Sequence, residues 1–197
     1  GRNAFKIAFD RSDLEIVAIN DLTDTKTLAH LLKHDSNYGT YHHDVTFDDE
    51  NIIVDGKQIH VYAQTDPAQL PWGEIGVDVV IESTGFFVDP AKARAHIDPA
   101  GAKKVVISAP AKGEGAETIV IGVNEEKLET AGDIVSNASC TTNCITAIMD
   151  ILNQNFGIEK AMMTTVHSYT ASQKLQDAPA KDLREARNAA MNIVPTT

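Results

Sequence analysis

The sequence predicts an α/β protein built on a parallel sheet with helices on both of its faces. Two observations carry this expectation. Five short β-branched runs, Glu15 to Asn20, Val77 to Glu82, Lys104 to Ser108, Thr118 to Val123 and Ile134 to Asn137, are bounded by turn or helix signals. Several of them, notably Val77-Asp78-Val79-Val80-Ile81 and Val105-Val106-Ile107, are apolar on nearly every residue instead of alternating, as a strand covered on both faces requires. Helix-compatible segments lie between them: Arg2 to Asp10, Thr25 to Lys33, Pro90 to Ala95 and Thr141 to Asn155. Such alternation belongs to a doubly wound layer. From Tyr38 to Ala63 the chain departs from it, and Asp55-Gly56 between Ile52-Ile53-Val54 and Gln58-Ile59-His60-Val61-Tyr62 reads as an inserted hairpin.

Composition narrows the function classes. The 197 residues are 43% hydrophobic and 23% charged, and 17 Lys and Arg against 28 Asp and Glu leave a net charge of −11. That charge disfavours phosphate backbones and anionic lipid surfaces, so neither nucleic acid nor membrane is an expected partner. No stretch approaches the roughly 18 consecutive apolar residues of a membrane span, and no signal-peptide pattern opens the chain, so a cytoplasmic location is expected. Cys140 and Cys144 are too few for a disulfide framework. The chain starts at Gly1 without Met and ends on Asn192-Ile193-Val194-Pro195-Thr196-Thr197, which reads as a fragment or a processed product.

The polar residues gather after the strands. Asp21, Ser83-Thr84-Gly85, Ser108 and Ser139-Cys140-Thr141 each follow a predicted strand's carboxyl end, where ligands bind in open α/β sheets. Any one of them alone also reads as an ordinary polar turn. The strongest local signal is Ser136-Asn137-Ala138-Ser139-Cys140-Thr141-Thr142-Asn143-Cys144, between a strand and a helix. It puts Cys140 at a helix N-terminus, where unpaired backbone N–H groups and the helix dipole favour the thiolate. Cys144, one turn further on, is expected to pack, and the Cys-x-x-x-Cys spacing is neither a redox nor a zinc pattern. A thiol nucleophile needs a base, and His167 closes the strand-like run Ala161 to Val166. A lone histidine is more often structural.

No metal site is expected. His30 and His34 are spaced i, i+4 without the intervening Glu of a zincin and read as a solvated face, while His42, His43, His60 and His96 carry no metal pattern. Asp21 lies twenty residues after Gly1, the spacing at which a carboxylate meets adenosine ribose hydroxyls, although no complete Gly-x-Gly-x-x-Gly is present. Ala111-Lys112-Gly113-Glu114-Gly115 lacks the Gly-Lys-Ser/Thr of a P-loop.

Taken together, Ser139-Cys140-Thr141-Thr142-Asn143-Cys144, His167-Ser168-Tyr169-Thr170, Glu82-Ser83-Thr84-Gly85, Ile107-Ser108-Ala109-Pro110-Ala111 and Asn20-Asp21-Leu22 resemble, in order and in register, the bacterial-type phosphorylating glyceraldehyde-3-phosphate dehydrogenases. The resemblance covers the whole chain. It implies an incomplete Rossmann-type doubly wound domain over residues 1–139, lacking its first strand and glycine loop, and the start of an α+β catalytic domain over 140–197. By the same resemblance, Cys140 is the nucleophile and His167 its base, and Ser139, Thr141 and Thr170 hydrogen-bond the substrate phosphates. Gly1, Asp21, Thr65, Thr84, Gly85, Phe87 and Ser108 surround the dinucleotide. The implied reaction is oxidative phosphorylation of glyceraldehyde 3-phosphate with inorganic phosphate, in a homotetramer.

Several positions depart from the family pattern. Thr65 stands where relatives often carry Arg, Ser172 where NAD-specific bacterial members often carry Asp, and Ala178 where Leu is common before Pro179. Asp21 would repel a 2′-phosphate, so NAD is the expected cofactor, with NADP left open by Ser172 and Ala178. Glu185 replaces a usual Arg between Arg184 and Arg187, within the S-shaped loop Ser168 to Asn192 that the family sets against a neighbouring subunit. Two other readings stand beside this one, an erythrose-4-phosphate dehydrogenase of the same superfamily and a noncatalytic dinucleotide-binding module. As a piece lacking both ends, the 197-residue chain alone is expected to show no turnover.

Overall fold

The computed structural model describes residues 1–195; Thr196 and Thr197, the end of the closing stretch read above, lie outside them. The chain divides into two compact units, Gly1–Phe156 and a second that begins at Gly157. In the first unit the elements run α1 (Arg2–Phe9), β1 (Ala18–Asn20), α2 (Thr25–Lys33), β2 (His34–Asp35), β3 (Gly39–Thr40), β4 (Val45–Phe47), β5 (Asn51–Val54) and β6 (Lys57–Tyr62). They continue with β7 (Val79–Glu82), α3 (Pro90–Ala93), β8 (Lys104–Ile107), β9 (Glu117–Thr118), β10 (Ile134–Ser136) and α4 (Cys140–Phe156).

Two four-stranded sheets form the unit. In the first, ordered β1-β6-β5-β4, β1 runs parallel to β6 and the remaining pairs are antiparallel. The hairpin turn is Asp55-Gly56, with φ of 50° and 81°, the left-handed pair that a two-residue turn between right-twisted strands requires. Leu32, Tyr41, Ile52, Val54 and Ile59 pack beneath this sheet. Helix α2 supplies Leu32 and starts where Asp24 accepts hydrogen bonds from Thr27 N (2.9 Å) and Thr27 Oγ1 (2.8 Å). Asp24→Ala is expected to cost about 1 kcal/mol, the usual worth of an N-cap, read from the urea midpoint of the intact protein at constant slope. The second sheet, ordered β7-β8-β10-β9, is wholly parallel, over a core of Ala93, Val105, Ile107 and Ile134.

The structure corrects five expectations. The segment from Tyr38 to Ala63 is more than an insertion, because β6 is the parallel partner of β1. Strand Thr118 to Val123 is cut to β9, since Asn124 takes over the ladder's role: its Oδ1 accepts from Val120 N (2.7 Å) and its Nδ2 donates to Thr118 O (3.0 Å), and Gly122 turns the chain at φ 83°. The apolar run of β7 is not covered on both faces, for Val79 and Ile81 are half exposed. Helix α4 buries none of its residues, so Cys144 is exposed rather than packed. Finally, Ala161 to Val166 forms no strand among the described residues, because its backbone pairs with no ladder partner and Met162 and Val166 stand in solvent.

The second unit is held by turns. Ala178 N donates to Ala186 O (2.9 Å), Ala189 N to Lys174 O (2.8 Å), and Arg187 pairs with Asp177 (2.8 Å) around a single 3₁₀ turn, Leu183–Ala186. Among the described residues no helix is long and apolar enough to cross a membrane.

Candidate active site

The nucleophile candidate is presented by a sharp, hydrogen-bonded turn. Ser136, fully buried at the end of β10, donates through Oγ to Ala109 O (2.8 Å) and accepts from Ala111 N and Ala138 N (3.2 Å each), tying this strand end to the loop after β8. Ala138 follows with φ 58°, a left-handed conformation uncommon for a residue with a side chain, and reverses the chain into α4. Asn143 closes the turn by donating from Nδ2 to Asn137 O (2.8 Å) and Ser139 O (2.9 Å). Ser139 caps the helix, its Oγ accepting from Thr142 N (2.9 Å) and bonding Thr142 Oγ1 (2.8 Å). Cys140 is thus the first helical residue and is exposed, with Thr141 half-buried beside it.

The dinucleotide candidates fall on strand ends of the same unit. Asp21 follows β1, anchored by Asp21 N to Tyr62 O (2.9 Å), and one carboxylate oxygen accepts from Thr23 N (2.9 Å). Thr65 lies on the neighbouring exit from β6, where Asn20 grips the backbone of Gln64 at both N (2.9 Å) and O (3.0 Å). Ser108 N donates to Glu82 O (2.9 Å), which sets Ser108 beside the Ser83 to Phe87 loop. Gly1 caps α1 against Ser83, whose Cβ would lie 3.6 Å from a methyl placed on Gly1. Ser83 Oγ is buried there without a hydrogen-bond partner among the described residues.

A buried relay shapes the loop after β7. Glu82 and His96 are each 4% exposed. Trp72 Nε1–H, which can only donate, hydrogen-bonds to His96 Nδ1 (3.1 Å). The ring's hydrogen is therefore on Nε2, which donates to Glu82 Oε2 (3.0 Å). Glu82 Oε1 accepts from both Thr84 N and Thr84 Oγ1, and Thr84 Oγ1 accepts from Phe86 N (3.1 Å). Phe87 meets the His96 ring edge-on at 6.1 Å. Burial pushes the Glu82 carboxyl up, yet the hydrogen bonds from His96 and Thr84 outweigh it and hold the group below the usual glutamate range.

His167 and Thr170 belong to the second unit. His167 Nδ1 donates to Ser168 O (2.6 Å), a carbonyl that can only accept, so that nitrogen carries a hydrogen. Thr170 Oγ1 bonds Ser172 Oγ (2.9 Å).

Residues 1–90 match the family model for the glyceraldehyde 3-phosphate dehydrogenase NAD binding domain, and residues 139–197 match that for the C-terminal domain of the same enzymes. The chain belongs to the glyceraldehyde-3-phosphate dehydrogenase family. Relatives of that name include proteins from Thermotoga maritima, 55% identical, and from Geobacillus stearothermophilus, 54% identical, each over the whole of this chain. Glyceraldehyde-3-phosphate dehydrogenase 1 of Bacillus subtilis is likewise 54% identical. The chain spans 58–59% of the length of these relatives. None of these three carries the erythrose-4-phosphate name.

Within this member of the family, sequence reasoning passed over Glu82 and His96 as positioning residues. Glu82 opens the Glu-Ser-Thr-Gly motif and was visible there. Its partner His96 lies fourteen positions away with no spacing signal; only a buried fold could reveal the pair.

Proposed function

We propose that the protein carrying this chain is an NAD-dependent, phosphorylating glyceraldehyde-3-phosphate dehydrogenase. The observation that carries the reading is the exposed Cys140 at the head of α4, immediately after the turn locked by Ser136, Ala138 and Asn143. A thiolate there gains from the helix N-terminus.

In the proposed reaction His167 Nε2 takes the Cys140 proton, the thiolate adds to the aldehyde carbon, and His167 returns the proton to the carbonyl oxygen to give a hemithioacetal. Bound NAD would supply the acceptor for the hydride leaving that carbon, while His167 Nε2 accepts the hydroxyl proton as the thioester carbonyl forms. The Cys140 thioester that results is attacked by an oxygen of inorganic phosphate; a C–O bond forms, the C–S bond breaks, and 1,3-bisphosphoglycerate leaves with Cys140 regenerated as thiolate. Ser139, Thr141 and Thr170 donate hydrogen bonds to the phosphates.

The residues present fit the dinucleotide. Gly1 has no side chain where α1 begins, and the partnerless Ser83 oxygen beside it offers a hydroxyl to a phosphate. Asp21 would accept from the ribose hydroxyls and oppose a 2′-phosphate. Thr65, Thr84, Gly85, Phe87 and Ser108 would line the remainder. The functional boundary is placed between Ser139 and Cys140, and the working form is a cytoplasmic homotetramer.

The test is NADH formation by the natural protein from glyceraldehyde 3-phosphate, NAD and inorganic phosphate. Turnover that requires all three, and falls when NADP replaces NAD, is expected. Sustained oxidation without phosphate or arsenate would reject the phosphorylating step.

A further inference from the structure

We infer that Asp10, His42 and His43 form a binding site for one late first-row divalent cation, of which Zn²⁺ is the natural probe. One ligand atom from each of the three lies within 4.8 Å of the others. Asp10 ends α1 and the two histidines precede β4, so the site joins the helix to the hairpin sheet. His43 Nε2 is 2.5 Å from Asp10 Oδ1, and His42 Nε2 is 3.8 Å from the same oxygen. Two imidazole nitrogens and one carboxylate oxygen are a donor set suited to zinc and its neighbours, with a fourth position left to water.

The surroundings are those of a built site. His43 turns its other nitrogen, Nδ1, to Asp55 Oδ2 at 2.5 Å, the carboxylate–histidine arrangement that orients and strengthens an imidazole ligand. Asp55 is itself fixed, its Oδ1 accepting from Asp44 N (2.8 Å) and its backbone held at φ 50° in the hairpin turn. Phe9 and Tyr41 wall the His43 ring edge-on at 5.0 and 4.9 Å, and Tyr41 stands against His42 at 5.2 Å. Asp10 and His42 remain open to solvent, which gives an ion a path in. On binding, the cation takes the place of the hydrogen between His43 Nε2 and Asp10, and that proton is released to solvent. The adjacent pair His42-His43 carries no ligand spacing along the chain; the turn into β4 brings it to Asp10.

The inference is tested by titrating the intact, metal-free protein with Zn²⁺ by calorimetry, in a Cys140→Ser, Cys144→Ser background that removes competing thiolates. One equivalent is expected to bind. His42→Ala, a change at an exposed side chain, and His43→Ala are each expected to weaken binding by at least about 100-fold. Asp55→Asn, which leaves all three ligands in place, should weaken it by about 10–100-fold, the usual effect of losing an outer carboxylate. Co²⁺ in place of Zn²⁺ should show visible absorption that His42→Ala removes. No saturable one-equivalent binding, or Zn²⁺ affinity unchanged in His42→Ala, would overturn the assignment.

Discussion

Cys140→Ala in the natural protein is expected to lower kcat for aldehyde oxidation by at least about 10⁴-fold, the scale on which an enzyme loses a covalent nucleophile. The geometry makes this a clean experiment. Cys140 is exposed at the start of α4, and Ser136, Ser139 and Asn143 hold the turn before it. Stability should therefore be nearly unchanged while turnover vanishes. Exchange to Ser is expected to be as damaging, because a hydroxyl is not ionised near neutral pH. His167→Asn should slow oxidation by about 10²–10⁴-fold, the range for loss of a general base. It should also flatten the pH dependence of Cys140 alkylation by iodoacetamide. Turnover retained in Cys140→Ala would dispose of the covalent mechanism.

Glu82→Ala is the change expected to cost most in stability, about 2–3 kcal/mol, because it strands the buried His96 Nε2–H and takes away the acceptor that fixes the exposed Thr84. His96 Nε2–H, Thr84 N–H and Thr84 Oγ1–H all donate to it. Even Glu82→Gln is not neutral. Its amide nitrogen must face either Thr84 or His96, and in the second case the His96 ring would have to move its hydrogen to Nδ1, against the Trp72 N–H. A loss of about 2 kcal/mol follows from one unsatisfied buried group. The pH dependence has a definite sign. The folded-state pKa of Glu82 is lowered, so its contribution is complete above the unfolded glutamate value, near ~4.3, and fades as pH falls through the folded value. The stability gap between wild type and Glu82→Gln should therefore narrow below about pH 4. A constant gap across that range would show that the carboxylate's charge is not what holds the loop. Because Thr84, Gly85 and Phe87 sit on that loop, both variants should raise KM for NAD more than they lower kcat.

Local signals survived into the fold where a segment's own residues decide its shape. Helix α2 spans Thr25–Lys33, the bounds expected from its own residues, and Asp24 caps its start. The Asp55-Gly56 turn sets the register of β5 and β6 directly. The turn around Cys140 was legible for the same reason, since strand, small residues and helix follow one another without interruption. Signals failed where distant partners decide. Nothing near Thr118 announces that Asn124 will claim its carbonyl, and nothing in Ala161 to Val166 supplies the partner strand its composition invites. The apolar character of Val79, Ile81 and α4 describes surfaces that this chain leaves open. The Glu82–His96 pair and the Asp10–His42–His43 cluster escaped notice because each is assembled from separate elements by the fold itself.

The 197-residue chain has a single tryptophan, and it is Trp72, buried at 5% exposure and hydrogen-bonded into the relay that ends at the loop after β7. Its intrinsic fluorescence is therefore a built-in optical gauge of that loop's anchorage. Emission should be blue-shifted in the native state and should move toward the red when the relay is broken, without any label. Acid titrations and nucleotide titrations can then be followed on the same chromophore, reading the Glu82 network from the side opposite the loop it holds.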